Sequence, residues 1–245
     1  MKRKILIALI FITALTGLLF CGCVAANLFS FNSVTGTGNL ETYEYSVGEY
    51  NRVLVEGFCE IHYYSAPSNT VTLAVQPNLH EYFVVEVVDR ELIIKTTRSI
   101  NPGKTPVLTI SVPELNSLFV SGACNFITHD KITSDSLTIN FSGAGDNKAE
   151  LDVQTLSVEI SGAGKLNLSG SANTARFDLS GAGELNALSL ETQNTTINLS
   201  GAGTIKISCS ERLTINASGA GTIQYRGSPS ISRNTSGIVS IRQVN

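Results

Sequence analysis

The sequence predicts an all-β protein that folds as a parallel β-helix, a solenoid with about 18–21 residues per coil. The tetrapeptide Ser-Gly-Ala-Gly or a close variant begins at positions 121, 142, 161, 180, 200 and 218, and a degenerate copy begins at 236. Apolar and polar residues alternate before and after each copy, which is typical of strands with one buried face. An antiparallel β-sandwich is the alternative, but it would not require the same corner at the same register in every repeat.

The Gly-rich corner is the part of the repeat that varies least. Glycine allows backbone conformations that a Cβ would forbid, and Ala is small enough to fit inside a bend. We therefore expect the corner glycines to be structural. They are Gly143, Gly145, Gly162, Gly164, Gly181, Gly183, Gly201, Gly203, Gly219 and Gly221. The pattern leaves open whether each coil contains two or three strands.

Stacking places equivalent residues of neighbouring coils about 4.8 Å apart, so the repeat predicts columns of side chains. The column directly after the corner contains Asp146, Lys165 and Glu184, which predicts an exposed ladder of alternating charge. The column two residues before the corner Ser, here called the polar column, contains Asn140, Glu159, Asp178, Asn198 and Asn216. Its amide and carboxylate oxygens make it the candidate face for a glycan or a cation. The alternative is a hydrated amide ladder, in which Arg176 offsets the acids.

The N-terminus has the pattern of an export signal. Basic residues at positions 2–4 precede an uncharged apolar run at 5–20, which is shorter than the roughly 20 residues of a membrane-spanning helix. Gly22 directly precedes Cys23, as in bacterial lipoprotein signals, so Cys23 is the predicted site of lipid attachment. Cleavage near Ala25 and Ala26, or a retained anchor helix, are the alternatives.

These patterns divide the chain into three parts. Residues 1–22 are the predicted lipoprotein-type signal peptide, 23–47 a tether, and 48–245 the β-helix domain, with the repeats at 121–239. Each version of the N-terminus places the folded part outside the cytoplasm. We therefore expect an exported protein of the cell envelope that is either membrane-anchored through a lipid or extracellular. The oligomeric state is left open.

Residues 50–112 are less repetitive but keep the alternation of strands. The segment VEGFCEI at 55–61 matches VSGACNF at 120–126, which aligns Cys59 with Cys124. If these coils stack directly, the two Cα atoms lie within the range of a disulfide; the alternative is a pair of buried thiols. Five tyrosines form either a contact region or a buried cap at this end, namely Tyr43, Tyr45, Tyr50, Tyr63 and Tyr64.

The order of these sequence blocks resembles a known family, the auto-transporter adhesin head domain called the GIN domain. The blocks are YNRVLVEGFCEIHYY, a strand pair ending in DRELIIKT, LTISVPELNSLFVSGACN and the serial SGAG repeats. The resemblance covers about residues 48–230 and implies a right-handed, single-stranded β-helix in exported, often lipid-anchored proteins. It implies surface interaction without naming a ligand, and it brings no catalytic residues to this chain. Cys124, where the other corners have Gly, is a local departure.

Composition and motifs argue against several function classes. The net charge is −3, and 15% of the residues are charged. The chain therefore lacks the excess of basic residues that nucleic-acid binding requires. His62, His80 and His129 are predicted to be surface histidines. The sequence contains no metal-ligand cluster, phosphate-binding loop or nucleophile elbow. We therefore expect no catalytic residue, no metal and no cofactor.

A polysaccharide-active β-helix enzyme is the enzymatic alternative. Asp146 and Glu184 lie two coils apart, about 10 Å by stacking, and inverting glycosidases place their carboxyls about 6.5–9.5 Å apart. Lys165 lies between them and would keep both acids ionised. The sequence favours a non-enzymatic, adhesin-like or envelope-interaction module. Its expected partners are the membrane, through the lipid, and a glycan or an envelope or surface protein; a structural spacer without a specific ligand is the other alternative.

Overall fold

The computed structural model describes residues 33–245, so the predicted signal peptide and Cys23 lie outside the described residues. The described part is nearly all-β and forms a β-solenoid of about seven turns. This architecture confirms the fold class predicted from the repeats. No helix among the described residues combines the length and the apolar character needed to cross a membrane.

The N-terminal elements form the first coil and a cover over its open edge. They are β1 (Val34–Thr35), β2 (Glu41–Tyr45), β3 (Arg52–Ser65), β4 (Thr70–Val75), α1 (Pro77–His80), β5 (Phe83–Val88), β6 (Glu91–Thr96), β7 (Ile100–Asn101) and β8 (Val107–Val112). Strand β3 pairs in parallel with β6 and β8 along one edge. Strands β8, β4 and β2 then pair antiparallel, as do β5 and β6. These antiparallel strands cover an edge that would otherwise be open to other chains.

The remaining strands stack as coils along the other edge of β3. They are β9 (Ser117–Thr128), β10 (Ile132–Phe141), β11 (Asp146–Ile160), β12 (Lys165–Leu179), β13 (Glu184–Leu199), β14 (Thr204–Ala217), β15 (Ala220–Arg226), β16 (Ser230–Thr235) and β17 (Ile238–Gln243). All pairings among them are parallel. Strands β11 to β14 are continuous for 14–16 residues, so one bent strand forms each central coil.

The core is a stack of apolar side chains that repeats with the coils. Val158 pairs with Phe177, Phe177 with Ile197, and Ile197 with Ile215, and all four side chains are fully buried. Alternate residues point outward because successive side chains of a strand face opposite sides. Burying one such side chain contributes about 1.5–3 kcal/mol, so each coil depends on its two neighbours for stability.

The corner glycines are needed for a reason other than the predicted backbone conformation. None of the ten has the positive φ that favours glycine. Instead, the coils approach so closely that a Cβ at Gly162 would lie 1.8 Å from the carbonyl oxygen of Gly143. A Cβ at Gly181 would lie 2.0 Å from that of Gly162. Steric exclusion between stacked backbones therefore requires glycine at this position.

The alanine of the corner points outward, which corrects the expectation that it fits inside the bend. Ala163 and Ala182 are exposed, whereas the glycines that follow them, Gly164 and Gly183, are buried. A Cβ at Gly183 would lie 2.9 Å from the Gly164 carbonyl oxygen and 3.0 Å from Cγ2 of Ile160, a core side chain of an earlier coil. The second glycine thus leaves room for core packing, and the alanine is part of the surface.

Buried tyrosines occupy the N-terminal end. Tyr50 and Tyr63 are almost fully buried, and the Tyr50 hydroxyl lies 3.0 Å from the carbonyl oxygens of Thr70 and Ser111. Burial raises the pKa of Tyr50, so this hydroxyl stays protonated as a donor. Tyr43 and Tyr45 are half-buried. Four of the five tyrosines therefore form the cap rather than an open contact region.

The C-terminal end is much less buried. Every residue of β16 is exposed, and β17 contributes only Val239 and Ile241 to the packing against the core. Ile238, which takes the corner position held elsewhere by alanine, is 84% exposed. The last coil therefore adds strand pairing but little buried apolar surface.

Candidate functional site

The polar column lies along one line on the outside of the solenoid. Asn140 pairs in register with Glu159, Glu159 with Asp178, Asp178 with Asn198, and Asn198 with Asn216. The structure therefore brings all five predicted residues together. The column extends one coil further, because Asn216 pairs with Asn234. Asn234 also stands two residues before a corner Ser, at the degenerate repeat, so the same sequence rule would have included it.

A shallow groove of about 310 Å³ follows the C-terminal part of the polar column. Side chains of Glu159, Asp178, Asn198, Asn216 and Asn234 line it on five consecutive coils. The corner serines 180, 200, 218 and 236 form its other polar border, and residues 179, 199 and 217 contribute apolar atoms. The groove combines repeated amide and hydroxyl groups with an apolar lining.

The amides of the column hydrogen-bond to one another along the stack. Asn140 Nδ2 donates to Glu159 Oε2 at 2.8 Å, and Asn198 Nδ2 donates to Asp178 Oδ1 at 2.6 Å. Asn216 Nδ2 donates to Asn198 Oδ1 at 2.9 Å. These bonds hold the side chains in fixed orientations and leave further lone pairs and amide hydrogens for other partners.

Charge along the polar column is partly neutralised. Arg176 contacts Asp178 with two nitrogens, Nε at 2.7 Å and a terminal nitrogen at 2.9 Å. Such a bidentate pair is among the stronger charge-assisted hydrogen bonds. The Oδ1 atom of Asn140 is buried and has no hydrogen-bond partner among the described residues. Arg176 therefore offsets the charge of Asp178, as the alternative of a hydrated amide ladder expects.

The charge ladder after the corner is present, but its ion pairs centre on one acid. Glu184 Oε1 lies 2.9 Å from Lys206 Nζ, and Glu184 Oε2 lies 3.9 Å from Lys165 Nζ. The hydrogen bond from Lys206 holds the pKa of Glu184 below its ordinary value. Lys206 lies two residues after the predicted column, on the next coil, so column spacing alone does not reveal this contact.

These contacts bear on the glycosidase alternative. A general acid needs a raised pKa, whereas Glu184 has a lowered one. Asp146 pairs in register with Lys165 and accepts a 3.4 Å hydrogen bond from Asn167. Neither carboxyl lines the groove along the polar column. The arrangement favours a structural ladder over an acid and base pair.

Two histidines that the sequence treats as separate surface residues meet in the structure. His62 Nδ1 lies 2.5 Å from His129 Nε2, although the residues are 67 positions apart. Glu60 Oε1 lies 2.9 Å from His62 Nε2, and the Tyr64 ring stacks on His129 at a centroid distance of 4.6 Å. Neither histidine belongs to a repeating motif, so only the pairing of β3 with β9 reveals the contact.

The third histidine belongs to the N-terminal cap. His80, at the end of α1, stacks on Tyr43 at a centroid distance of 3.6 Å. Its Nε2 lies 2.9 Å from the Tyr45 hydroxyl. His80 is therefore held by aromatic packing and lies apart from the His62 and His129 pair.

Cys59 and Cys124 are direct register partners on β3 and β9, as the matching segments predict. The structure has them as buried thiols with 3.5 Å between the two Sγ atoms, rather than as a disulfide. Cys209 is a third buried free thiol. Within residues 33–245, no group of three or more His, Cys, Asp or Glu side chains is arranged to hold a metal ion.

Comparison with known proteins identifies the class to which this solenoid belongs. The family described as "Putative auto-transporter adhesin, head GIN domain" matches residues 49–229. The chain belongs to this family, which confirms the resemblance seen in the sequence. No curated protein matches the chain.

Solved structures share the fold over nearly their whole length. A putative adhesin from Bacteroides fragilis has a TM-score of 0.81 and 25% identity, over 86% of this chain and 100% of that one. A putative adhesin from Parabacteroides merdae has a TM-score of 0.69 and 22% identity, over 87% of this chain and 99% of that one. A putative lipid binding protein from Parabacteroides distasonis has a TM-score of 0.73 and 23% identity, over 87% of this chain and 100% of that one.

Proposed function

We propose that this protein is an exported, adhesin-like binding module without catalytic activity, held at the cell surface by a lipid on Cys23. Membership of an adhesin head family supports a role in surface interaction. The family and the similar structures are described as adhesins or a lipid binding protein rather than as enzymes. The groove along the polar column is the observation that carries the choice of binding face.

We propose a glycan as the ligand of this groove. Amide side chains offer both donors and acceptors, which suits the hydroxyl groups of a sugar chain. The groups repeat about every 4.8 Å along the solenoid, so a polymer could make the same contact on several coils. Arg176 offsets the charge of Asp178, so the groove is not a strongly acidic surface and does not call for a cationic ligand.

The binding experiment uses the full chain, purified in detergent, against an array of glycans and envelope polysaccharides. The test variant is Asn198→Ala with Asn216→Ala, which removes two amides from the groove. The matched control is Asn167→Ala with Asn186→Ala, an amide pair stacked in the same way on another column. Two lost hydrogen bonds should weaken binding about tenfold or more, whereas the control should bind like the unmodified protein.

The same samples are assayed for release of reducing ends. Saturable binding that the groove variant loses, without new reducing ends, is the expected result. Binding that both variants keep would place the contact face elsewhere. New reducing ends would overturn the non-enzymatic proposal, and no binding at all would favour the spacer without a specific ligand.

The lipid anchor is tested separately by Cys23→Ala. This change removes the proposed acylation site, so the attached lipid should be lost while the fold described for residues 33–245 is kept. Fractionation followed by an intact-mass measurement gives the result. An unmodified protein whose intact mass includes no lipid on Cys23 would contradict lipid attachment there, and one that also keeps residues 1–22 would favour a retained anchor helix.

A further inference from the structure

His62 and His129 form an exposed pair of chemically active side chains that the proposed function does not use. Glu60, His62 and Tyr64 alternate along β3 with the buried residues Ile61 and Tyr63, so all three point to the outer face. His129 follows the end of β9, and its backbone N–H donates to the Tyr63 carbonyl at 3.0 Å. The pairing of β3 with β9 therefore places the His129 imidazole beside that of His62.

The orientation of His62 is set by its neighbour. Glu60 lies 2.9 Å from Nε2, and as an acceptor it favours the tautomer with hydrogen on Nε2. The lone pair of Nδ1 then points toward Nε2 of His129. A carboxylate that holds one ring nitrogen while the other faces a ligand is the arrangement found around metal-bound histidines.

Tyr64 packs against the face of the His129 ring. The Tyr64 ring stacks on it with only 6° between the ring planes. Two ring nitrogens thus converge on one point, where they can share either a proton or a metal ion. Metal-bound imidazole nitrogens lie about 2.0–2.1 Å from the ion, so a tetrahedral ion needs them about 3.4 Å apart. The 2.5 Å separation must therefore open by about 0.9 Å, which the exposed position of His129 allows.

We propose that His62 and His129 form a two-histidine site for a late first-row divalent ion such as Zn²⁺ or Cu²⁺. Imidazole prefers these ions, whereas Ca²⁺ and Mg²⁺ take oxygen ligands. Glu60 is the positioning residue, and water completes the coordination because residues 33–245 place no third protein ligand beside the two histidines. The site lies at the pairing of β3 with β9 and is separate from the groove along the polar column.

The test titrates ZnCl₂ into the full chain in detergent, without a polyhistidine tag, and follows binding by calorimetry. His129→Gln removes one ligand, and His80→Gln is the matched control because it changes the histidine of the cap. We expect one Zn²⁺ per chain, binding weakened at least about tenfold by His129→Gln, and no change with His80→Gln. Glu60→Gln should keep the stoichiometry but weaken binding about 10- to 100-fold, as loss of an orienting carboxylate does.

Electron paramagnetic resonance with Cu²⁺ provides a readout that does not depend on affinity. The spectrum should show two coordinating nitrogens in the unmodified chain and one in His129→Gln. Circular dichroism melts in the presence of EDTA verify that each variant is folded. Absence of Zn²⁺ binding, equal binding by the unmodified chain and His129→Gln, or a Cu²⁺ spectrum unchanged by that variant would each overturn the proposal. The pair would then be a hydrogen bond between two imidazoles.

Discussion

Single side chains on the outer face of this solenoid interact mainly with the equivalent positions of the coils above and below. Glu184 illustrates this, since its two lysine partners come from the preceding and the following coil. Ion pairs of this exposure usually contribute less than about 1 kcal/mol. Their effect is nevertheless measurable through pH, because the hydrogen bond from Lys206 lowers the pKa of Glu184 in the folded state.

We expect Glu184→Gln to destabilise the protein only at pH values where the carboxyl is charged. A carboxyl with a lowered folded pKa stabilises the protein above its unfolded pKa of about 4.3, and this stabilisation is lost as the pH falls through the folded pKa. At pH 7 the free energy of unfolding of the variant should therefore be lower than that of the unmodified protein, by less than about 1 kcal/mol. The difference should shrink toward zero below about pH 4. Urea titrations at several pH values measure it.

Glu211→Gln is the matched control for this prediction. Glu211 is an exposed acid on β14, and it takes part in none of the ion pairs found among residues 33–245. Its substitution breaks none of these ion pairs, so it should lower the free energy of unfolding at pH 7 less than Glu184→Gln does. A Glu184→Gln difference that is the same at pH 7 and at low pH would show that the lysine contacts contribute nothing to stability.

The Gly-rich corner determines how closely neighbouring coils can stack. The prediction is that Gly181→Ala destabilises the protein, because its Cβ would lie 2.0 Å from the Gly162 carbonyl oxygen, which belongs to the backbone and cannot rotate away. Overpacking of this kind costs about 1–3 kcal/mol and sometimes more. Chemical denaturation of the purified variant measures the loss.

Gly48→Ala controls for the general effect of replacing glycine. A Cβ at Gly48 would have no heavy atom within 4 Å, and its φ is not in the positive range. The change should be neutral or stabilise the fold by up to about 1 kcal/mol through the entropy of the unfolded chain. Equal stability losses in the two variants would contradict the steric explanation of the corner.

The elements also show where sequence reasoning reached its limit. The matching segments around Cys59 and Cys124 predict the pairing of β3 with β9, and the repeat predicts the register of the polar column. The cause of glycine at the corner could not be predicted, because it is a contact between backbones rather than a local conformation. The contact of His62 with His129 was equally inaccessible, since it joins a strand interior to a turn 67 residues away.

At the scale of the whole molecule, the coils form a one-dimensional array in which each contacts its neighbours. The prediction is that deletion of residues 161–179 leaves a folded solenoid that is one coil shorter. The deletion removes 19 residues, one full repeat, and joins Ile160 to Ser180 as it is now joined to Ser161. Circular dichroism should keep the strand spectrum, and the unfolding transition should stay cooperative.

A deletion of residues 161–170 is the control, because it removes about half a repeat. The register between adjacent coils would then no longer match, and apolar side chains that are now buried would face solvent. The packed core of the solenoid would be lost. This shorter deletion should give an unfolded or aggregated protein. If both deletions unfold the chain, the coils do not act as interchangeable units.

The backbone contact at the corner has a consequence for how such a gene can change over time. Each corner glycine contacts the corner glycine of the preceding coil. An additional coil with the same corner can therefore be inserted without a new steric requirement. In-frame duplication or loss of one repeat would therefore yield a functional descendant more often than most insertions do. Lineages could lengthen or shorten the solenoid in steps of about 4.8 Å, and so adjust the length of the surface that it presents.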